Sequence, residues 1–328
     1  MLRPLLSALS PAGRQARLST LIFHRVTAQP DPLFPGEVDA LRFDSICGWV
    51  RRWANVLPLD EAVQRLADGS LPARAVCFTF DDGYADNHDV ALPILQRHGL
   101  TATFFVASGF IDGGIMWNDR VIEAVRLCSH AVLRLPDGLV PGRNELDLSS
   151  WTARRQAADV LLKVLKYQPF AQRLQSTEAL TAAAGVTLPD HLMMCTPQVA
   201  ALAGAGMGVG GHTVNHPILA RLDEAQALQE MQDGKRALEA MIQSPVHLFA
   251  YPNGRPGTDY TARDVALARR AGFKAAVSTA SGAAQAGVDT YQLPRFTPWD
   301  QSRLRFGARL AMNLRAAIRP SLTTADHA

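Results

Sequence analysis

Phe78-Thr79-Phe80-Asp81-Asp82-Gly83 is the stretch that decides the fold of this 328-residue chain. Its two carboxylates follow an apolar run, Ala75-Val76-Cys77-Phe78, and precede a glycine. Apolar runs of that length read as buried strands, and a strand end followed by glycine is where a barrel places its chemistry. Adjacent strand residues point to opposite faces, but a bend at the strand end lets both carboxylates reach one site. Neighbouring carboxylates repel. Either a cation or a shared proton with one raised pKa relieves the repulsion, and either remedy serves a hydrolase. The plainer alternative is an Asp-Asp-Gly turn with both side chains in water.

Outward from this strand, strand and helix patterns alternate. Upstream, Leu21-Ile22-Phe23 reads as a strand ending at His24. A polar loop, Thr27 to Asp39, separates it from helices over Phe43–Ala54 and Leu59–Leu66. Downstream come a helix over Asp89–His98, a capping Gly99, and a strand over Ala102–Val106. Residues of about 110–197 break the rhythm and read as a helical insertion, not a separate domain. The alternation resumes with the strand Met207–Gly211, the helix Glu224–Ile242, the strand His247–Tyr251, the helix Ala262–Ala271 and the strand Ala275–Ser278. This pattern predicts an α/β fold with a parallel sheet or barrel. The expected domain spans 17–302, followed by a basic amphipathic helix and tail over 303–328.

Composition narrows the function. A hydrophobic fraction of 48% supports a large core, and a net charge of +3 gives no sign of nucleic-acid binding. No apolar run reaches the ~18 residues of a membrane span. The N-terminal apolar segment is short and broken by Pro4, so it is not read as a signal peptide. Cys47, Cys77, Cys128 and Cys195 are scattered, which fits free thiols in a reducing cytoplasm.

A second motif, His212-Thr213-Val214-Asn215-His216, follows the glycine-rich strand Met207–Gly211. Histidines at this spacing are commonly surface residues, but this pair also ends a strand, as His24 and Asp81-Asp82 do. One carboxylate and two imidazoles make a facial metal site with open positions. A divalent ion there acidifies water, and the remaining carboxylate is free to take its proton. Hydrolysis of an amide or ester is the chemistry these parts suit.

On the Thr-Phe-Asp-Asp-Gly motif at 79–83 and the His-Thr-x-x-His motif at 212–216, the chain resembles the polysaccharide deacetylase superfamily (carbohydrate esterase family 4, the NodB-homology group). The resemblance spans roughly Leu21 to Trp299. It implies a distorted, incomplete (β/α) barrel. It also implies that Asp81 is the catalytic base and that Asp82, His212 and His216 bind a metal, most often zinc.

Two family motifs depart from the pattern. The third reads Ala250-Tyr251-Pro252-Asn253-Gly254, so Ala250 stands where an arginine would orient the base. This form is similar to the subgroup acting on exopolysaccharides such as poly-N-acetylglucosamine. Here the backbone N–H of Asn253, with Tyr251 beside it, is the expected oxyanion and substrate contact. The late Leu-x-His motif is replaced by Gln292-Leu293-Pro294-Arg295-Phe296. Arg295 is then the candidate for holding Asp81 ionised, with a structural salt bridge as the alternative. His24 is the candidate general acid, with a hydrogen-bonded strand-end histidine as the alternative.

Trp117, at the start of the insertion, reads either as a sugar-stacking residue or as packing, and Trp299 shares the ambiguity. Phe306, Leu310, Leu314 and Ile318 recur every four residues among Arg305, Arg309, Arg315 and Arg319. This stripe suits either a packed helix or a peripheral contact at the inner membrane surface. The leading expectation is metal-dependent N-deacetylation of an amino sugar in a polysaccharide, oligosaccharide or lipid-linked glycan. A deacylase or amidase acting on a non-sugar amide, including formyl groups, is the second reading. A non-catalytic carbohydrate-binding relative is the third, and it conflicts with the intact set of Asp81, Asp82, His212 and His216.

Overall fold

The computed structural model describes residues 2–316 and Leu322. The chain forms two compact units. The first draws on Met1–Gln29, Val38–Asp112 and Met194–Ala328, and the second on Pro30–Glu37 and Gly113–Met193.

Ten strands occur among the described residues. They are β1 Leu18–Phe23, β2 Asn55–Val56, β3 Ala75–Phe80, β4 Thr103–Val106, β5 Val132–Arg134, β6 Glu145–Asp147, β7 Gly208–Gly211, β8 Leu248–Ala250, β9 Ala275–Val277 and β10 Arg295–Phe296. Eight of them build the sheet of the first unit, in the order β10-β1-β3-β4-β7-β8-β9, with β2 also on β3. Every strand pair in it is parallel. An isolated parallel bridge between Val277 and Leu293 links β9 back to the approach of β10, so that the ring is nearly closed. This is the distorted (β/α) barrel expected from the motifs.

Burial follows the pleat. All six residues of β1 and all six of β3 are buried, as expected for parallel strands covered on both faces. Ala75 and Cys77 belong to an inner cluster with Phe105, Leu248, Ala250, Val277 and Leu293. Val76, Phe78 and Phe80 belong to the outer cluster with Phe43, Ile46 and Val50 of the helix Ala40–Trp53. Phe80 stacks on Phe104 at 4.7 Å and on Phe23 at 5.2 Å. Each such aromatic pair adds about 0.5–1.5 kcal/mol beyond its buried area. The strand bearing the carboxylates is therefore pinned from both sides.

The terminal helices add to the layout of the first unit. Leu2–Leu9 and Arg303–Arg315 both belong to the first unit. Leu6, Phe306, Leu310 and Leu314 lie in its core. The described part of the apolar stripe, Phe306, Leu310 and Leu314, is thus buried, as the packed-helix alternative expects. The helix is further tied down by Arg309 on Asp300 at 2.8 Å and by Asn313 Nδ2 donating to Ser19 Oγ. Ile318, Arg319 and His327 fall outside the described residues. No helix among the described residues is long and apolar enough to cross a membrane.

The second unit has its own core, built from the helices Trp117–Leu127, Trp151–Leu165 and Phe170–Ala184 and the antiparallel β5–β6 pair. Asp31 joins it through a two-pronged ion pair with Arg126. The insertion is therefore a folded unit, and it recruits residues 30–37, which the sequence reading placed in a loop.

Candidate active site

Asp81 continues the inward-facing line of Ala75, Cys77 and Thr79. Its N–H donates to Phe23 O at 2.9 Å, extending the β3–β1 ladder by one residue. Asp82 should then point outward. It does not, because its backbone is left-handed, with φ +76°. Asp is among the few residues that tolerate this region. The twist returns the second carboxylate to the inner site. Gly83 completes the bend with φ +93°, and a Cβ there would lie 2.9 Å from Val106 Cγ1.

Asp81 is buried, and Arg295 grips it. Nη1 donates to Oδ1 and Nη2 to Oδ2, each at 2.7 Å, while Nε donates to Ser278 O at 2.8 Å. Burial pushes the Asp81 carboxyl up, but the Arg295 guanidinium and His212 outweigh it and hold the group below the usual carboxylate range. Each Asp81 oxygen keeps a further lone pair for another donor.

Asp82 faces the histidine pair. Its Oδ1 lies 3.4 Å from His212 Nε2 and 3.4 Å from His216 Nε2. All three ligand atoms fall within 4.8 Å of one another. His212 Nδ1 meets Ala250 O at 2.7 Å. A ring nitrogen facing a carbonyl must donate, so in the neutral imidazole Nε2 is an acceptor. That places two acceptors face to face, and the buried Asp82 Oδ1 has no hydrogen-bond partner. Burial pushes the His216 imidazole down to about 4, so the ring is neutral near neutral pH, the form that ligates a cation. A divalent cation resolves this conflict, and the donor set of one carboxylate and two imidazoles suits it. Thr213 (φ +65°) and His216 (φ +50°) hold left-handed backbone within this loop, at about 1–3 kcal/mol each.

The other candidates separate. His24 ends β1 with an exposed side chain, its carbonyl accepting from Asn87 Nδ2 at 2.8 Å. Asn253 follows β8 with φ +58°, and its carbonyl accepts from Thr279 Oγ1. Tyr251 is a correction. Its side chain is fully buried, stacked on Tyr260 at 3.9 Å, with the hydroxyl donating to Tyr291 O. A phenol fixed in the core does not touch substrate. Trp117 lies in the second unit, where the Arg173 guanidinium sits 4.9 Å from its ring. Trp299 is exposed on the loop after β10, its carbonyl accepting from Arg42.

Sequence reasoning missed the Ala250 carbonyl. Ala250 marks a missing arginine in the motif, but a backbone acceptor has no residue-type signal.

The fold and the clustered Asp81, Asp82, His212 and His216 define a deacetylase-type barrel. The polysaccharide deacetylase family pattern matches residues 68–276, well over half of the chain, and the chain belongs to that family. YxkH of Bacillus subtilis (strain 168) is 20% identical over 291 residues, which cover 88% of this chain and 74% of that protein. The deacetylase PplD of Streptococcus pyogenes, solved with acetate, superposes with a TM-score of 0.60 at 20% identity, covering 91% of this chain and 98% of that one. IcaB from Ammonifex degensii does so with a TM-score of 0.60 at 17% identity, covering 92% and 98%. These two likenesses establish the fold.

Proposed function

We propose that this chain is a metal-dependent hydrolase that removes the N-acetyl group from an amino sugar within a glycan. The observation that carries the reading is the adjacency of two unlike carboxylates. Asp81 is locked on Arg295, while Asp82 has an unpartnered oxygen aimed at His212 and His216. Asp82, His212 and His216 would hold the ion, with Zn2+ the expected metal. When bound, the cation polarises the amide carbonyl and lowers the pKa of water.

The remaining steps fall to the chain itself. Asp81, kept ionised by Arg295, accepts the proton of the attacking water. The water oxygen bonds to the carbonyl carbon. The Asn253 N–H would stabilise the oxyanion that develops. The C–N bond then breaks as the exposed His24 gives a proton to the leaving nitrogen, releasing acetate and a free amine. Family membership and the exopolysaccharide-like third motif support an N-acetylated glycan as the substrate.

The test is acetate release from N-acetylglucosamine oligomers, with and without chelator. Release that stops on chelation and returns with Zn2+ supports the reading. Release that ignores the chelator contradicts it.

A further inference from the structure

The loop His212–His216 carries two of the three proposed metal ligands in strained backbone, and something must impose that shape. The helix Glu224–Ile242, packed beneath it, does so with two residues one turn apart. Glu230 Oε2 accepts the backbone N–H of Val214 at 3.0 Å and of Asn215 at 2.9 Å. Glu230 Oε1 accepts from Asn215 Nδ2 at 2.7 Å. Four residues on, on the same helix face, buried Gly234 leaves room for the loop. A Cβ at Gly234 would lie 2.8 Å from Thr213 C and 2.9 Å from Thr213 O.

From the turn after β4, Ser108 N–H donates to Thr213 O at 3.1 Å and Gly109 N–H to Val214 O at 2.9 Å. Within the loop, His216 N–H donates to Thr213 Oγ1 at 3.1 Å. These contacts from the Glu224–Ile242 helix fall on Thr213, Val214 and Asn215, the three residues between the histidines. The carboxylate satisfies the backbone N–H groups of Val214 and Asn215 and the Asn215 side-chain amide together.

We propose that Glu230 is the positioning residue of the metal loop and that Gly234 is the seat it needs. Together they fix the separation of His212 and His216 and so set the affinity for the cation. This rests on the metal reading given under Proposed function. Glu230 does not touch substrate or metal. It acts through the loop, in the way that groups behind metal ligands commonly govern affinity.

The test is competition for Zn2+ against a fluorescent chelator, using full-length wild type, Glu230→Ala, Glu230→Gln and Gly234→Ala, each checked for folding by circular dichroism. Glu230→Ala is expected to weaken Zn2+ binding about 10–100-fold. Glu230→Gln keeps an acceptor oxygen for the two N–H groups and is expected to retain most of the affinity. Gly234→Ala decides the matter if Glu230→Ala fails to fold. Alanine favours helix over glycine, so a helix with a merely structural role would bind Zn2+ as wild type does. The proposal requires Gly234→Ala to lose affinity while staying folded. Wild-type affinity in the folded Gly234→Ala and Glu230 variants overturns it. A wild-type protein that binds no Zn2+ overturns the metal reading instead, and this inference with it.

Discussion

The guanidinium of Arg295 holds both carboxylate oxygens of Asp81 at 2.7 Å, across 214 positions of sequence. The pair is buried, and it binds the last strand of the ring to the third. Ala250 stands where the related motif carries an arginine, so the positive charge reaches the same carboxylate from a different strand.

Removing Arg295 should therefore have two effects. Breaking a buried pair costs about 3–5 kcal/mol, so Arg295→Ala should unfold at markedly lower denaturant concentration. The guanidinium depresses the Asp81 pKa, so its loss should move the acid limb of the kcat/KM profile to higher pH. Arg295→Lys should fall between. An unchanged acid limb in a folded Arg295 variant would show that Asp81 does not depend on this partner.

The same depression links pH to stability. A carboxyl with a lowered folded pKa contributes stability above its unfolded pKa of about 3.9 and loses it as pH falls through the folded value. The wild-type protein should lose stability on acidification below about pH 4, and the part due to Asp81 should vanish in Arg295→Met. Urea titrations of both proteins between pH 3 and pH 7 check this.

Metal uptake should weaken as pH falls. Burial pushes the His212 imidazole down, but the carboxylates of Asp82 and Asp81 outweigh it and raise its affinity for a proton. Protons and Zn2+ then compete for Nε2. Zn2+ affinity should be lower at pH 5.5 than at pH 7.5, and Asp82→Asn and His212→Ala should each abolish stoichiometric binding. A metal titration in which His212→Ala matches wild type would remove this site.

His24→Ala should lower kcat by about 10²–10⁴-fold with little change in metal content, and should remove the basic limb of the pH profile. A variant with near-normal kcat and an intact basic limb would rule out His24 as the acid.

The C-terminal helix should behave as core. Phe306 is fully buried, so Phe306→Ala should cost about 3–5 kcal/mol. Truncation after Gln301 should lower Tm sharply. A truncated protein with unchanged Tm would contradict the packing of Phe306, Leu310 and Leu314.

Legibility in the sequence followed burial and chemistry. The strand Ala75–Phe80 was readable because both faces are buried and the run is continuous. The grouping of Asp82 with His212 and His216 followed from strand ends and ligand types. The left-handed turn at Asp82 was not readable, because Asp-Asp-Gly also fits an ordinary surface turn. The β5–β6 pair inside the insertion was not readable, because three-residue strands with exposed outer positions give too little alternation. The helix Leu2–Leu9 was hidden by Pro4, which lies early enough in the helix to be tolerated. Residues 30–37 are a loop, as read, and what the sequence hid is the partner that ties them down, Arg126 on Asp31. Tyr251 misled because its motif position says nothing of where its ring points.

The central claim is a division of labour between neighbours, in which Asp82 holds the cation and Asp81 works as base. Asp81→Asn tests it most directly, through Zn2+ content and acetate release measured on the same sample. The account predicts about one bound Zn2+ per chain, as in wild type, with acetate release lower by about 10²–10⁴-fold. An Asp81→Asn protein that holds its Zn2+ and deacetylates at the wild-type rate would contradict it.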